Sequence, residues 1–186
     1  MLTKRQLFLQ HIAQTSPAPL MLEIERAEGV FLYDKKNRAY LDLIAGISVS
    51  NVGHCHPKVV AAIQKQAAQY MHLMVYGEYI YTPQVALSTL LCEQLPPHLN
   101  AVYLVNSGTE AVEGALKLAK RYTRRTELIS FSNAYHGSTH GSLSIMGSET
   151  FKQAFRPLLP DTRHIPYNSE KDLAHITEKT ACVVAE

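Results

Sequence analysis

The sequence predicts an α/β protein with a mostly parallel sheet, preceded by an N-terminal segment that carries a small antiparallel meander. Three observations predict it. Short apolar runs at Ala101–Val105, Glu127–Phe131 and Ala181–Ala185 are separated by helix-length stretches, an alternation that implies right-handed crossovers. Ahead of them, short extended segments are divided by Gly29 and by the turn sequence Asp34-Lys35-Lys36-Asn37. The 186 residues, 46% hydrophobic and 18% charged, are enough for a sizeable buried core and exclude a disordered chain.

The elements follow in order. Residues 1 to about 20 carry a weak helical pattern that ends in the breaker Ser16-Pro17-Ala18-Pro19. The extended segments 22–27, 30–33 and 39–42 form the meander. Pro57 suits the first turn of a helix that runs to about Tyr70, with Val59, Val60, Ile63 and Ala67 on one stripe. A second helix, Pro83 to Gln94, carries Val85, Leu87, Leu90 and Leu91 and stops before Pro96-Pro97. After the strand 101–105, a helix from Glu110 to about Tyr122 is expected to turn Ala111, Val112, Ala115, Leu118 and Ala119 inward. Strand 127–131 leads through a loop rich in Gly and His into an irregular stretch, then a helix near Glu170–Thr177 and the last strand. That strand stops one residue before Glu186. A buried strand needs a covering segment, so the chain is expected to be a piece of a longer protein.

Composition narrows the function classes. A net charge of +2, with Lys and Arg scattered, does not suit a nucleic-acid surface. No apolar run approaches the roughly 20 residues needed to cross a bilayer, and residues 1–10 contain no signal-peptide core. Cys55, Cys92 and Cys182 show no paired spacing, which fits a reducing compartment, so a cytoplasmic location is expected.

The chemistry concentrates where strand 101–105 meets its helix, at Asn106-Ser107-Gly108-Thr109-Glu110. Ligands of open α/β sheets bind at the carboxyl ends of strands. Ser107 and Glu110 have capping-box spacing, and the unpaired N–H groups of Gly108 and Thr109 with the helix dipole make an anion site. Gly108 lets an anion approach the backbone. The tetrapeptide alone reads more readily as a plain helix cap, because capping boxes are common. It is not a nucleotide P-loop, since the Gly-Lys-Ser/Thr ending is missing. His54, Cys55 and His56 invite a metal reading, but with one residue between the histidines and no acidic cluster beside them, no metal site is expected.

The wider segment 106–119 resembles the phosphate-cup helix of class-III aminotransferases, which use pyridoxal 5'-phosphate (PLP). Three further stretches resemble that family in the same order: Gly53-His54-Cys55-His56-Pro57, Ala134-Tyr135-His136-Gly137 and Val183-Val184-Ala185-Glu186, the last like the strand entering the family's Glu-Pro-x-Gln-Gly-Glu motif. The resemblance implies a fold-type I PLP transferase, with residues 1–53 as part of the small domain and 54–186 as a large PLP-binding domain incomplete at its C-terminus. It implies that Ser107, Gly108 and Thr109 hold the cofactor phosphate through backbone and hydroxyls, and that Tyr135 stacks on the pyridine ring. His136 and Gly137 shape that loop, and Glu186 lies close to the site, although as the last residue it is expected to fray. Ser138 stands where many relatives have Arg, so that arginine's contact does not carry over. Tyr76, Tyr79 and Tyr81 line either a substrate pocket or a core or interface stripe. Ile47 stands near the place of a substrate-recognising tyrosine of ornithine aminotransferases, which leans toward an acetylornithine-type substrate.

The resemblance also implies what lies elsewhere. The family's Schiff-base lysine and its pyridine-nitrogen aspartate fall beyond Glu186, so no catalytic residue is assigned here, and this chain alone is not expected to transaminate. The implied function of the full-length form is transfer of an amino group from an ω-amino donor of acetylornithine or ornithine type to 2-oxoglutarate, in a homodimer. The rivals are an inactive fragment that binds PLP weakly and a phosphate-binding α/β domain unrelated to PLP.

Overall fold

The computed structural model describes residues 2–74 and 77–186. They form two compact units, 1–79 and 80–186. The boundary expected after residue 53 therefore falls inside the first unit. Gly29 and His54 exchange backbone hydrogen bonds of 3.0 and 2.7 Å, which tie the Gly53-His54 turn to the meander. Gly53 sits at φ +84°, and a Cβ there would press on the Gly29 backbone at 3.1–3.3 Å, so this close approach requires glycine.

In the first unit, helix α1 (Lys4–His11) starts from a Thr3 capping box closed by Gln6. Strands β1 (Ile24–Glu28), β2 (Phe31–Asp34) and β3 (Ala39–Leu41) pair antiparallel in chain order, as the meander predicts. The β2–β3 turn is organised by Asp34. Its carboxylate accepts from the N–H groups of Lys36 and Arg38, from Arg38 Nε at 2.7 Å and from the Tyr40 hydroxyl. Burial works to raise its pKa, but these donors and the Arg38 charge bring it down to about 2. Next comes α2 (Ala45–Ser48), a left-handed turn in which Ile47 has φ +59° and is 86% exposed. Helix α3 (Pro57–Gln69) opens with Pro57 in its first turn.

The second unit begins with α4 (Thr82–Gln94). Ala101–Val105, expected as a strand, enters no ladder among the described residues, and its apolar pattern finds no neighbour to pair with. Helix α5 (Gly108–Thr123) is rich in strong helix formers, with Glu110 in its first turn and Lys120 and Arg121 in its last. It ends at Arg124, whose φ of +61° breaks the ladder. Strand β4 (Glu127–Phe131) occupies the centre of a three-stranded parallel sheet, between β5 (Thr162–Ile165) and β6 (Thr180–Val184). Two short helices, α6 (His140–Ser144) and α7 (Glu149–Lys152), lie between β4 and β5. The helix expected at Glu170–Thr177 is a 3-10 helix, Glu170–His175.

The core sits against β4. Leu128, Ile129, Ile145, Met146 and Ile165 are almost wholly buried, and Leu116 of α5 packs on Leu128 and Ile145 with Val112, Ala181, Cys182 and Val184 around them. The inward face of α5 is therefore turned from the one expected. Val112 and Leu116 face the sheet and Ala119 is half-buried, whereas Ala111 and Ala115 are exposed and Leu118 is 68% exposed. Thr109 and Glu113, one turn apart on a neighbouring face, look toward α6 instead, which fixes the rotation of the helix.

Candidate functional site

The corner at the start of α5 is built as a cap and leaves two donors unused. Ser107, in extended backbone (φ −151°, ψ 160°), accepts the Glu110 N–H on its hydroxyl at 3.3 Å. The Glu110 carboxylate reaches back to the Asn106 N–H at 2.8 Å, one residue beyond the usual partner of a capping box. Helical bonding begins with the Ala111 N–H, which donates to the Ser107 carbonyl. The N–H groups of Gly108 and Thr109 thus have no acceptor among the described residues, and they share the positive end of the helix dipole. Ser107 and Gly108 are exposed, and a Cβ built on Gly108 would meet nothing within 4 Å. This is open space over free donors, the requirement for seating a phosphate.

Thr109 behaves differently from its neighbours. Its hydroxyl lies 2.7 Å from both the Thr139 and Ser142 hydroxyls and accepts the Thr139 N–H at 3.3 Å. It is committed inward, so its share in holding an anion falls to its backbone N–H. The loop that carries Tyr135 closes on the same spot. Gly137 has φ +120°, and a Cβ on it would overlap the Thr109 side chain. The structure therefore brings the 107–109 corner and the 135–137 loop together.

Tyr135 is 55% exposed, and its ring makes an edge contact with Phe151 (centroids 6.3 Å apart, 84° between planes). Its backbone N–H donates to the Glu186 carboxylate at 2.6 Å. The last residue, expected to fray, instead ties the end of the chain to this loop. His136 is buried, and its Nε2 has no hydrogen-bond partner among the described residues. Burial lowers its pKa while the Glu186 charge works to raise it. A buried ring nitrogen without a partner beside an open anion corner fits a site completed by a polar ligand.

Other residues singled out by the sequence lie elsewhere. His54 Nε2 is 2.7 Å from Asp42 Oδ2, Cys55 is exposed at φ +53°, and His56 precedes α3 with its Nδ1 buried and without a partner among the described residues. Among the described residues no three His, Cys, Asp or Glu side chains converge as a metal site requires. Tyr79 and Tyr81 fall in different units, and Tyr76 lies outside the described residues. A cavity of about 530 Å³ is lined by Ser144, Lys152, Arg156, Thr162 and His164 among others, and by no residue of the 107–109 corner. No helix among the described residues is long and apolar enough to cross a membrane.

Sequence reasoning did not single out Glu113, Thr139 or Ser142. The signal for Glu113 was its place four residues after Thr109, which sets both on one helix face.

The family described as aminotransferase class-III matches residues 12–186. Over 160 residues the chain is 40% identical to the acetylornithine aminotransferase of Methanopyrus kandleri, covering 86% of this chain and 41% of that protein. Its structure is similar to that of the adenosylmethionine-8-amino-7-oxononanoate aminotransferase of Methanocaldococcus jannaschii, with a TM-score of 0.87 and 31% identity, covering 96% of this chain and 45% of that one. It is also similar to the ornithine aminotransferase of Toxoplasma gondii, whose structure describes PLP at partial occupancy at the active site. There the TM-score is 0.82 at 25% identity, covering 97% of this chain and 43% of that one. The chain spans less than half the length of each of these relatives.

Proposed function

The chain belongs to the class-III aminotransferases, and from that premise we propose that it supplies the PLP cup of a transaminase acting from an acetylornithine- or ornithine-type donor to 2-oxoglutarate. The observation that carries this reading is the start of α5, with two N–H donors unused among the described residues, the dipole behind them and open space over Gly108. When bound, the cofactor supplies an electron-poor ring that takes up the electrons released at the donor's carbon.

The residues of this chain bind and orient. Gly108 and Thr109 donate backbone N–H groups to the phosphate, and the Ser107 hydroxyl, which accepts from Glu110, keeps its own proton to donate. Tyr135 offers a ring face that fixes the tilt of a flat ligand and excludes water, with its backbone held by Glu186. His136 offers its buried Nε2 to a polar group of the bound ligand. No lysine of this chain is given the covalent role. Lys117 is exposed on α5, and buried Lys152 is engaged by Glu149 at 3.1 Å and by His164 Nε2 at 2.8 Å. We assign the homodimeric assembly and the cytoplasmic location to the whole protein on the family's pattern.

The test separates a cup from a cap. Gly108→Asp places a carboxylate in the first turn, where the dipole favours it, so a plain cap is undisturbed or strengthened. A phosphate seat is blocked by like charge, and PLP affinity of the intact protein is expected to fall on the order of 100-fold, with thermal stability unchanged. PLP titration followed by absorbance measures this. Unchanged affinity would return the corner to the status of a helix cap.

A further inference from the structure

We propose that Glu113 is a positioning residue of the cofactor site. It caps α6 from the neighbouring helix and thereby locks the 135–142 loop, with its stacking ring, onto the phosphate-binding end of α5. This inference rests on the PLP-cup reading above and adds a residue that the reading does not use.

Helix α6 has its N-cap at Thr139, but the Thr139 side chain caps nothing on its own helix. Its hydroxyl donates to Glu113 Oε1 at 2.5 Å, and the same oxygen accepts the N–H groups of Gly141 at 2.8 Å and Ser142 at 3.1 Å. Those two N–H groups lie in the first turn of α6, which has no intrahelical acceptor for them, so an N-terminal capping task is performed by a carboxylate from another helix. Burial pushes the Glu113 pKa up, but the Thr139 hydroxyl, the Ser142 and Gly141 N–H groups and the Lys117 charge outweigh it and hold the carboxyl below its ordinary range. One turn before Glu113, the Thr109 hydroxyl meets the Thr139 and Ser142 hydroxyls, which are themselves 3.0 Å apart.

The approach is tight. A Cβ on Gly141 would overlap the Glu113 carboxylate, and one on Gly137 would overlap Thr109 and crowd Ser142. Glycine at 137 and 141 is what lets the loop reach the helix. Thr109 is the hinge of the arrangement, since its backbone N–H faces the phosphate seat while its side chain enters the clamp. A shift of the loop relative to α5 would therefore move Tyr135 and His136 relative to the anion donors. A displacement of about 1 Å, far from any bond being made, is enough to misplace a bound group.

Three variants of the intact protein test this. Glu113→Ala removes the acceptor, Glu113→Gln keeps a neutral one, and Thr139→Val removes one donor. In Glu113→Ala, amide hydrogen exchange of Gly141 and Ser142 should speed up at least tenfold, PLP should bind about tenfold more weakly and the induced circular dichroism of bound PLP should change. Glu113→Gln should restore most of the affinity and the dichroism. If Glu113→Ala does not fold, Thr139→Val should show the same signs at about threefold. Exchange at 141 and 142 unchanged from wild type would overturn the clamp. Faster exchange with unchanged PLP affinity and dichroism would overturn its role toward the cofactor. Wild-type protein that binds no PLP would overturn the cup reading and the positioning role with it, while the exchange result would still decide the clamp.

Discussion

Helices α4 and α5 lie in the same unit, are of similar length and are both legible as helices from their apolar residues, yet they end differently. On α5, Leu116 is 3% exposed and packs on Leu128 and Ile145. On α4, Val85, Leu87, Leu90 and Leu91 are 39% to 56% exposed, and no residue of the helix is buried. The caps differ in the same sense, since Ser107 closes the start of α5 with its side chain and Tyr81 makes no side-chain cap for α4. Periodicity records which face of a helix is apolar. It does not say what lies against that face, and of these two helices, among the described residues, α5 is the one that packs on the sheet. The difference also separates function, because the helix anchored by core, cap and clamp is the one that presents the anion site.

The sharpest way to break this comparison is to truncate one leucine on each helix. Leu116→Ala removes a buried side chain from the contact between α5 and β4 and should cost about 2–5 kcal/mol of stability. Leu90→Ala, on a residue 56% exposed, should stay within about 0.5 kcal/mol. Urea denaturation followed by circular dichroism measures both. Equal losses would mean that α4 is buried in solution and that the contrast between the helices is false.

A smaller effect is expected at the cap. Ser107→Ala leaves the Glu110 N–H without its acceptor and should cost about 1 kcal/mol. The same variant loses a hydroxyl at the proposed phosphate seat, so PLP affinity should fall together with stability. If stability falls and affinity does not, Ser107 serves the helix alone.

What was legible in the sequence divides along the same line. Strand β4 has the bounds its apolar run predicts, and α5 exceeds its expected range by two residues at the start and one at the end. Capping chemistry and hydrophobic runs are local, and so is the Ser107 corner. Strand β5 was not legible, because Thr162-Arg163-His164-Ile165 has no apolar run and is a strand only through its parallel pairing with β4. His164 in that strand is held by the buried Ser130 hydroxyl at 2.8 Å, a contact 34 residues away in sequence. Ala101–Val105 shows the converse, an apolar run that lacks a partner strand among the described residues. The inward stripe of α5 was misjudged because Ala111, Ala115 and Leu118 are also apolar, and only the hydrogen bonds of Thr109 and Glu113 to α6 decide the rotation. Glu113 itself read as an ordinary charge on a helix, since its partners follow more than 25 residues later.

Acid should expose the last part of the contrast, because the contact between α5 and α6 rests on a carboxylate. The Glu113 pKa in the folded protein lies below its unfolded value of about 4.3. The unfolded chain thus takes up the proton first as pH falls, and the stabilisation is complete above that value and disappears as pH drops through the lower, folded one. Asp34, with its pKa near 2, follows the same rule in the other unit, so total stability against pH does not isolate the clamp. The difference between wild type and Glu113→Gln does isolate it, since every other carboxylate is common to both proteins. That difference should favour wild type at about pH 6 and shrink as pH falls below the unfolded value of about 4.3, measured as the shift in urea midpoint at each pH. A constant difference across the range would mean that the negative charge of Glu113 contributes nothing to holding α6, and that its acceptor oxygen alone carries the contact.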